Sequence, residues 1–270
     1  MSKRWLGVPL LIVIVLILGV AWQVTSPQWA WLCVAALLTV FMMILGQAIA
    51  GRAVGILITE QNVISLARFQ AVLWTVIVIS AYFVIAIARI RHGLNSTPGE
   101  PVDPLKIILN NQLLGLLGIS ASALVFSPLI AATKKSKTAD TGDTQAVTKD
   151  SLNADTARTT VTMTGADNKA QGILFKNSTI NDARFTDIFE GDEVGNNNHV
   201  DLGKVQMFYF TIVVALAYAA AIWTMLQKDN FYGADCSFPL FSDGMVALLG
   251  ISNAGYLANK GVDHTKKVNE

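Results

Sequence analysis

Charged residues are scarce in this chain. They make up 14% of the 270 residues, against about 25% in soluble proteins, and 53% of the residues are apolar. A soluble core of this size cannot hold so many apolar side chains, and they fall in long blocks, as in proteins that cross a bilayer. The formal net charge of +1 provides no concentrated basic face, which argues against a nucleic-acid partner.

Residues typical of catalytic and metal sites are also few. Cys33 and Cys236 form neither a disulfide framework nor a C-x-x-C pair; we interpret them as a buried thiol and a loop thiol, with an intermolecular bridge through Cys236 as the alternative. The three histidines lie in loops or the tail, and no apolar block carries an ionisable residue at mid-depth. H-E-x-x-H, Walker A and G-x-G-x-x-G motifs are missing. We therefore expect no enzymatic activity, no metal site and no cofactor.

Six apolar blocks are long enough to be transmembrane helices, which need about 20 mostly apolar residues. They cover residues 6–24, 29–50, 66–90, 105–132, 205–227 and 240–258. The sixth is more polar and is expected to lie against other helices. A cleaved signal peptide is the alternative for the first block, although its apolar stretch exceeds the usual length of about 7–15 residues. The predicted fold is an all-α polytopic membrane protein that begins with a transmembrane hairpin at 1–50.

Lysine and arginine are unevenly distributed between the predicted loops. With the N-terminus in the cytoplasm, sixteen of the twenty basic residues fall on the inner side, and the outer side keeps Arg89, Arg91, Lys106 and Lys228. Cytoplasmic loops carry such an excess of basic residues. This distribution predicts a multi-pass protein with both termini in the cytoplasm.

Two sequence blocks recur in the same order. "SLARFQAVLWT" at 65–75 matches "DLGKVQMFYFT" at 201–211, and "LLGLLGIS" at 113–120 matches "MVALLGIS" at 245–252. Shared hydrophobicity alone does not readily produce two matches at nearly one offset. We interpret spans 3–4 and 5–6 as a parallel internal repeat of helical hairpins. The repeats cover 51–132 and 201–270, and a cytoplasmic linker at 133–200 joins them.

Each repeat opens with a capping residue followed three positions later by a cation. Ser65 and Asp201 are placed to accept the first free amide hydrogens of a helix. Arg68 and Lys204 then lie in the first turn, where the helix dipole disfavours positive charge. We expect a compensating partner for both, namely a lipid phosphate at the inner leaflet.

Small and amide side chains within the predicted spans indicate where helices pack together. Glutamines can hydrogen-bond across helices, and small residues four positions apart allow close approach of two backbones. The residues assigned to helix packing are Gln70, Gln206, Gly118, Ser122, Gly250 and Ala254. The sequence leaves open whether the fourth and sixth helices meet each other or a neighbouring subunit.

The linker changes character along its length. Residues 133–164 are rich in Thr, Ala, Asp, Lys and Ser and are expected to be flexible unless contacts order them. Further on, "QGILFKN" predicts a short strand, and Phe185, Ile188 and Phe189 share one face of a predicted amphipathic helix. This helix is expected to dock a partner, lying along the membrane or on the loop between spans 2 and 3. We interpret the acids at 187, 190, 192 and 193 as a solvated face, since they lack EF-hand spacing.

Polar residues at the predicted outer ends of spans 4 and 6 allow a second interpretation. Asn111 and Asp243 occupy nearly equivalent positions and could line a pore; capping of helices is the alternative. A channel or pore-forming effector is therefore the second functional hypothesis.

The stretches "GILITEQNVISLARFQAVLWT" and "DLGKVQMFYFT" resemble uncharacterised bacterial polytopic membrane proteins that carry the same duplicated hairpin. The resemblance covers both repeats and implies a bacterial inner-membrane location, but no activity. Together with the composition, it leads us to expect a non-enzymatic scaffold or anchor in the lipid bilayer. Such a protein would form homo-oligomers, or join a membrane complex by docking a cytoplasmic partner.

Overall fold

The computed structural model describes residues 7–95, 103–137, 170–228, 231–232 and 236–265. These residues are mostly helical, and six α-helices are found among them. Their bounds are α1 (Gly7–Gln23), α2 (Pro27–Ala50), α3 (Leu66–Asn95), α4 (Asn111–Lys135), α5 (Leu202–Gln227) and α6 (Asp243–Gly261). Much of the predicted linker, residues 138–169, lies outside the described residues, and so do Lys3 and Arg4, which the predicted orientation uses.

Four of the described helices, α2 to α5, are long and apolar enough to cross a membrane. α1 is apolar but has 17 residues, which rise about 26 Å against a hydrocarbon thickness of about 30 Å. α6 has 19 residues and a more polar sequence. Each helix thus overlaps one predicted block, although α4 begins six residues later than the fourth block and α6 three residues later than the sixth. Membrane crossing by α1 and α6 stays a prediction.

Side-chain caps precede the four helices of the two predicted hairpins. The cap oxygens accept backbone N–H groups three residues on, at 3.5 Å for α3, 2.9 Å for α4 and 3.2 Å for both α5 and α6. The capping residues are Ser65, Asn110, Asp201 and Ser242. Because a cap satisfies an otherwise unpaired donor, it explains why each helix begins where it does. The predicted capping by Ser65 and Asp201 is confirmed.

The chain divides into two compact units. Unit 1 comprises residues 1–56, 69–120 and 210–250, and unit 2 comprises 57–68, 121–209 and 251–270.

Unit 1 contains the α1–α2 hairpin and an aromatic core. Pro27 opens α2, where its missing N–H leaves no bond unmade. The rings of Tyr218 and Phe241 stack at 4.2 Å, and Trp74 meets Phe241 edge-on at 6.2 Å.

The buried Arg89 donates hydrogen bonds to the carbonyls of Phe231 and Asp103, at 2.6 and 2.9 Å. Nearby in sequence, two short strands, β1 (Ile107–Ile108) and β4 (Cys236–Ser237), pair in parallel.

Unit 2 contains most of the irregular structure among the described residues. The strands β2 (Ala170–Gln171) and β3 (Leu174–Phe175) form an antiparallel pair, which places a strand where "QGILFKN" predicts one. Gly172 between them has φ +64°, a conformation that favours glycine. Two short 3-10 helices follow, at Ile180–Asp182 and Phe185–Phe189.

The predicted amphipathic α-helix is therefore wrong in its form. Asp182 accepts a hydrogen bond from the N–H of Thr179 at 2.9 Å, and Asp187 accepts one from the N–H of Arg184 at 3.0 Å. Each carboxylate lies at the third position of a short turn and accepts the N–H of the residue that precedes that turn. Such local side-chain bonds compete with a continuous helical ladder, so the segment folds as two single turns.

Candidate functional site

Three lysines at helix ends turn into unit 2 instead of pointing away from it. Lys134 lies in the last turn of α4, Lys204 in the first turn of α5 and Lys260 in the last turn of α6. Lys134 and Lys204 are 2% and 4% exposed. A buried ammonium group is costly unless it is paired and hydrogen-bonded. All three find such partners in the segment between β3 and α5 or beside it.

Glu193 forms the most enclosed of these pairs. Its carboxylate accepts a hydrogen bond from the Lys134 ammonium at 2.5 Å and others from the N–H groups of His264 and Thr265, at 2.8 and 2.7 Å. Lys134 also donates to the carbonyl of Val262 at 2.7 Å. Glu193 is 1% exposed. One carboxylate thus fastens the segment before α5 both to α4 and to the chain that follows α6.

Asp192 bridges two lysines. Its Oδ1 lies 2.8 Å from the Lys204 Nζ, and its Oδ2 lies 2.6 Å from the Lys260 Nζ. Lys204 donates a further bond to the carbonyl of Glu190 at 2.5 Å. Burial alone would raise the pKa of Asp192, but the two ammonium groups outweigh it and hold the pKa below its ordinary value.

The lipid-phosphate role predicted for Lys204 is therefore corrected. The partner that compensates its position in the first turn of α5 is the Asp192 carboxylate of the same chain, and its side chain is buried in unit 2. Arg68, its equivalent in the predicted repeat, is half-buried and donates to the carbonyl of Ile58 at 2.7 Å. A lipid-phosphate contact at Arg68 stays a prediction.

The segment before α5 also docks on the loop at 57–65, one of the two placements expected from the sequence. Asp187 accepts the N–H of Ile64 at 3.2 Å. The side-chain amides of Asn62 and Asn177 each donate to the other residue's carbonyl, at 3.0 and 2.8 Å. Asp187 and Glu193 are buried, so the interpretation of the acidic cluster as a solvated face is wrong for both.

A cavity of about 240 Å³ lies within unit 2. It is lined by the loop before α3, the first turns of α3 and α5, the second half of α4, the end of α6, β3 and the segment at 187–192. Four basic and four acidic side chains line it, so their formal charges cancel. At its rim, Lys135 pairs with the exposed carboxylate of Glu60 at 2.7 Å. Arg68 lies in the first turn of α3 and also lines the cavity.

The three residues predicted to dock a partner do not share one exposed face. Ile188 is fully buried, whereas Phe185 is 53% exposed and Phe189 is half-buried. Phe189 packs edge-on against Phe208 of α5, with ring centroids 5.0 Å apart, and the exposed Tyr209 follows Phe208. We define Phe185, Phe189, Phe208 and Tyr209 as the aromatic patch. A docking role for Ile188 is thus excluded by its burial.

The glutamines predicted to bridge helices differ from each other. Gln70 is buried and its Oε1 has no hydrogen-bond partner in the described part of the chain, whereas Gln206 is exposed. The predicted interhelical hydrogen bond is therefore not found for either glutamine among the described residues.

The small residues predicted to pack helices fall into two groups, those found at a contact between helices and those that are exposed. In unit 2, Ser122 of α4 accepts a hydrogen bond from Asn253 of α6 at 3.2 Å. In unit 1, a Cβ at Gly250 would lie 3.5 Å from the side chain of Ile119. α4 and α6 therefore meet within the chain, whereas Gly118 and Ala254 are exposed.

The two candidate pore-lining residues lie in unit 1, where both are exposed. Asp243 accepts a hydrogen bond from the side-chain amide of Gln112 at 3.1 Å. The cap of α4 is the preceding residue Asn110, whose amide also donates to the carbonyls of Phe238 and Pro239. A pore-lining role for Asn111 and Asp243 stays a prediction.

The described residues hold no cluster of three or more His, Cys, Asp or Glu side chains that could bind a metal ion. No protein-family model matches the sequence, and no curated protein or solved structure is significantly similar to it. The candidate site therefore consists of the cavity of unit 2 and the ion pairs around it. The sequence pattern gave no signal for the Lys134–Glu193 pair, because its members are 59 positions apart.

Proposed function

We propose that this chain is a non-enzymatic integral-membrane scaffold that presents unit 2 to a partner. The observation that carries the proposal is the set of ion pairs made by Lys134, Lys204 and Lys260, of which the Lys134–Glu193 pair is fully buried. They tie the segment before α5 to the ends of three helices, so that its surface holds one arrangement. A surface ordered in advance binds a partner without the entropic cost of ordering it at that moment.

The aromatic patch is the proposed docking surface. Phe185 and Tyr209 are 53% and 63% exposed, and aromatic side chains are enriched at the anchoring positions of protein interfaces. The buried Ile188 lies between Phe185 and Phe189 in sequence and fixes the 3-10 turn that carries them. The partner is either a second copy of the chain, forming a homo-oligomer, or another subunit of a membrane complex.

The proposed setting is a bacterial cytoplasmic membrane crossed six times, with both termini in the cytoplasm. The grouping of basic residues supports this orientation. The four residues assigned to the outer side, Arg89, Arg91, Lys106 and Lys228, all belong to unit 1. Most of the described basic residues assigned to the inner side belong to unit 2, with Arg52 as the exception.

Site-specific photo-crosslinking in intact membranes tests the docking role. A crosslinking amino acid at position 185 is expected to yield one discrete higher-mass product, which the substitution Phe189→Ser weakens. The control position is Val262, which is similarly exposed at 57% and lies in unit 2 outside the patch. Equal products from positions 185 and 262, or a product at 185 that contains lipid alone, would contradict the proposal.

A further inference from the structure

The first turn of α3 has donors that nothing in the described chain satisfies. The first amide groups of any helix lack intrahelical acceptors, and here the Ser65 hydroxyl meets only the N–H of Arg68. The N–H groups of Leu66 and Ala67 have no hydrogen-bond partner among the described residues. Both residues are about 98% buried, and both line the cavity of unit 2. Buried amides without partners are rare in folded proteins.

A second, independent group points into the same cavity. Ser127 of α4 is 7% exposed and lines the cavity, and its hydroxyl has no hydrogen-bond partner among the residues described. Within a helix a serine hydroxyl commonly bonds to the carbonyl one turn earlier, as the buried Ser80 does with Val76 at 2.6 Å. Ser127 makes no such bond in the described chain, and it lines the cavity.

Every carboxylate that lines the cavity has a partner. Asp192 is paired with two lysines, and Asp187 accepts two backbone N–H groups. Glu60 is paired with Lys135, and Glu190 also has an interaction within the described chain. The unmet hydrogen-bonding groups at the α3 end are therefore donors, namely the amides of Leu66 and Ala67 at the positive end of the helix dipole, where an anion is favoured. The Arg68 guanidinium lines the same cavity.

We propose that this cavity binds the phosphate group of a phosphorylated small molecule or of a lipid headgroup. The amides of Leu66 and Ala67, the hydroxyl of Ser127 and the guanidinium of Arg68 donate to its oxygens. Its volume of about 240 Å³ is below the range of about 300–1,000 Å³ that drug-sized ligands occupy. The bound part is thus a phosphate with a few attached atoms, which fits glycerol phosphate whether or not acyl chains continue from it.

Two matched pairs of probes test the proposal on the full chain in neutral detergent. The soluble pair is glycerol 3-phosphate and glycerol, followed by calorimetry. The lipid pair is dioleoyl phosphatidylglycerol and dioleoylglycerol, followed by native mass spectrometry. The phosphate-bearing member of at least one pair is expected to bind once per chain, and its phosphate-free counterpart is expected not to bind. The pair that shows this difference identifies the source of the phosphate.

Three variants locate the binding. Ser127→Ala and Arg68→Gln are each expected to weaken binding about tenfold or more, because each removes a hydrogen bond to a charged group. Lys176→Gln removes one positive charge from unit 2 at a residue that does not line the cavity, and should leave binding unchanged. Ser127→Ala removes only one oxygen atom. The test can therefore rely on this variant alone if Arg68→Gln does not fold. The proposal is overturned if neither phosphate-bearing probe binds, or if Ser127→Ala binds as tightly as Lys176→Gln.

Discussion

The substitution Glu193→Gln should destabilise unit 2 severely. The Glu193 carboxylate is 1% exposed and faces the Lys134 ammonium, which is 2% exposed. Glutamine has nearly the same shape and can still accept a hydrogen bond from His264 or Thr265. It removes the negative charge, however, so that the buried ammonium of Lys134 keeps only neutral acceptors such as the carbonyl of Val262.

The magnitude follows from the burial of the partner. Removing one member of a buried ion pair costs about 3–5 kcal/mol, because the other charge is left without compensation. That is a large fraction of the total free energy of unfolding, which is about 5–15 kcal/mol for typical domains. We therefore expect opening of the segment before α5 and of the tail at 262–265, in preference to a small uniform shift.

The chain offers a matched control. Glu60 and Lys135 form an ion pair of similar length, 2.7 Å, but the Glu60 side chain is 77% exposed. Water solvates both groups whether or not they touch, so Glu60→Gln should leave the stability unchanged within error. The two variants make the same chemical change and differ only in burial.

Thermal unfolding in detergent and amide hydrogen exchange measure the effect. In Glu193→Gln the amides of His264 and Thr265 should exchange much faster, whereas in Glu60→Gln they should not. The double variant Lys134→Met with Glu193→Gln should recover a substantial part of the loss, since it removes the uncompensated charge. Equal melting temperatures for the two single glutamine variants, or strict additivity in the double variant, would refute this reasoning.

Two smaller effects follow from the same unit. The positive charges of Lys204 and Lys260 outweigh burial and hold the pKa of Asp192 below its ordinary value of 3.8, so its contribution to stability is complete above that pH and is lost on acidification. Melting curves from pH 7 to pH 3 should therefore fall below about pH 4 in the parent chain and less steeply in Asp192→Asn; parallel curves would contradict the assignment. At the helix starts, Asp201→Ala should cost about 1 kcal/mol and Ser65→Ala less, because the Ser65 bond is long at 3.5 Å against 3.2 Å. Chemical denaturation of both variants measures the difference, and a larger loss in Ser65→Ala would be the opposite result.

The positions of the helices could be predicted because their signals are local. A block of about 20 apolar residues carries its own evidence, and so does a capping residue three positions before its amide partner. The capping by Ser65 and Asp201 could be predicted for that reason. The burial of Lys134 and Glu193 could not be predicted, because no periodicity links an end of α4 to a residue in the segment before α5. A lysine near the end of an apolar block equally fits solvent, lipid or protein, and only the folded chain decides between them.

The burial of two acids in the cluster at 187–193 was equally hard to predict from the sequence. Four acids within seven positions are usually solvated, and composition alone supports that interpretation. Here two of them, Asp187 and Glu193, accept backbone N–H groups from distant parts of the chain. Backbone amides leave no trace in a sequence, since every residue except proline has one. A carboxylate that binds them cannot be distinguished in advance from one that faces water.

The predicted repeat pairs Arg68 with Lys204, and the structure gives the two cations different tasks. Lys204 is 4% exposed, and its ammonium is bound by Asp192 and the carbonyl of Glu190, so its charge serves the packing of unit 2. Arg68 is half-buried and lines the cavity of unit 2, and its guanidinium donates to the carbonyl of Ile58. Exchange of the two residues would not be neutral. A planar guanidinium at position 204 would have to fit a buried site that now suits a compact ammonium group, and a lysine at 68 would lose the fork of donors that suits a phosphate. The two positions that the predicted repeat pairs are thus chemically distinct: Lys204 is held in an ion pair, whereas Arg68 belongs to the proposed phosphate site.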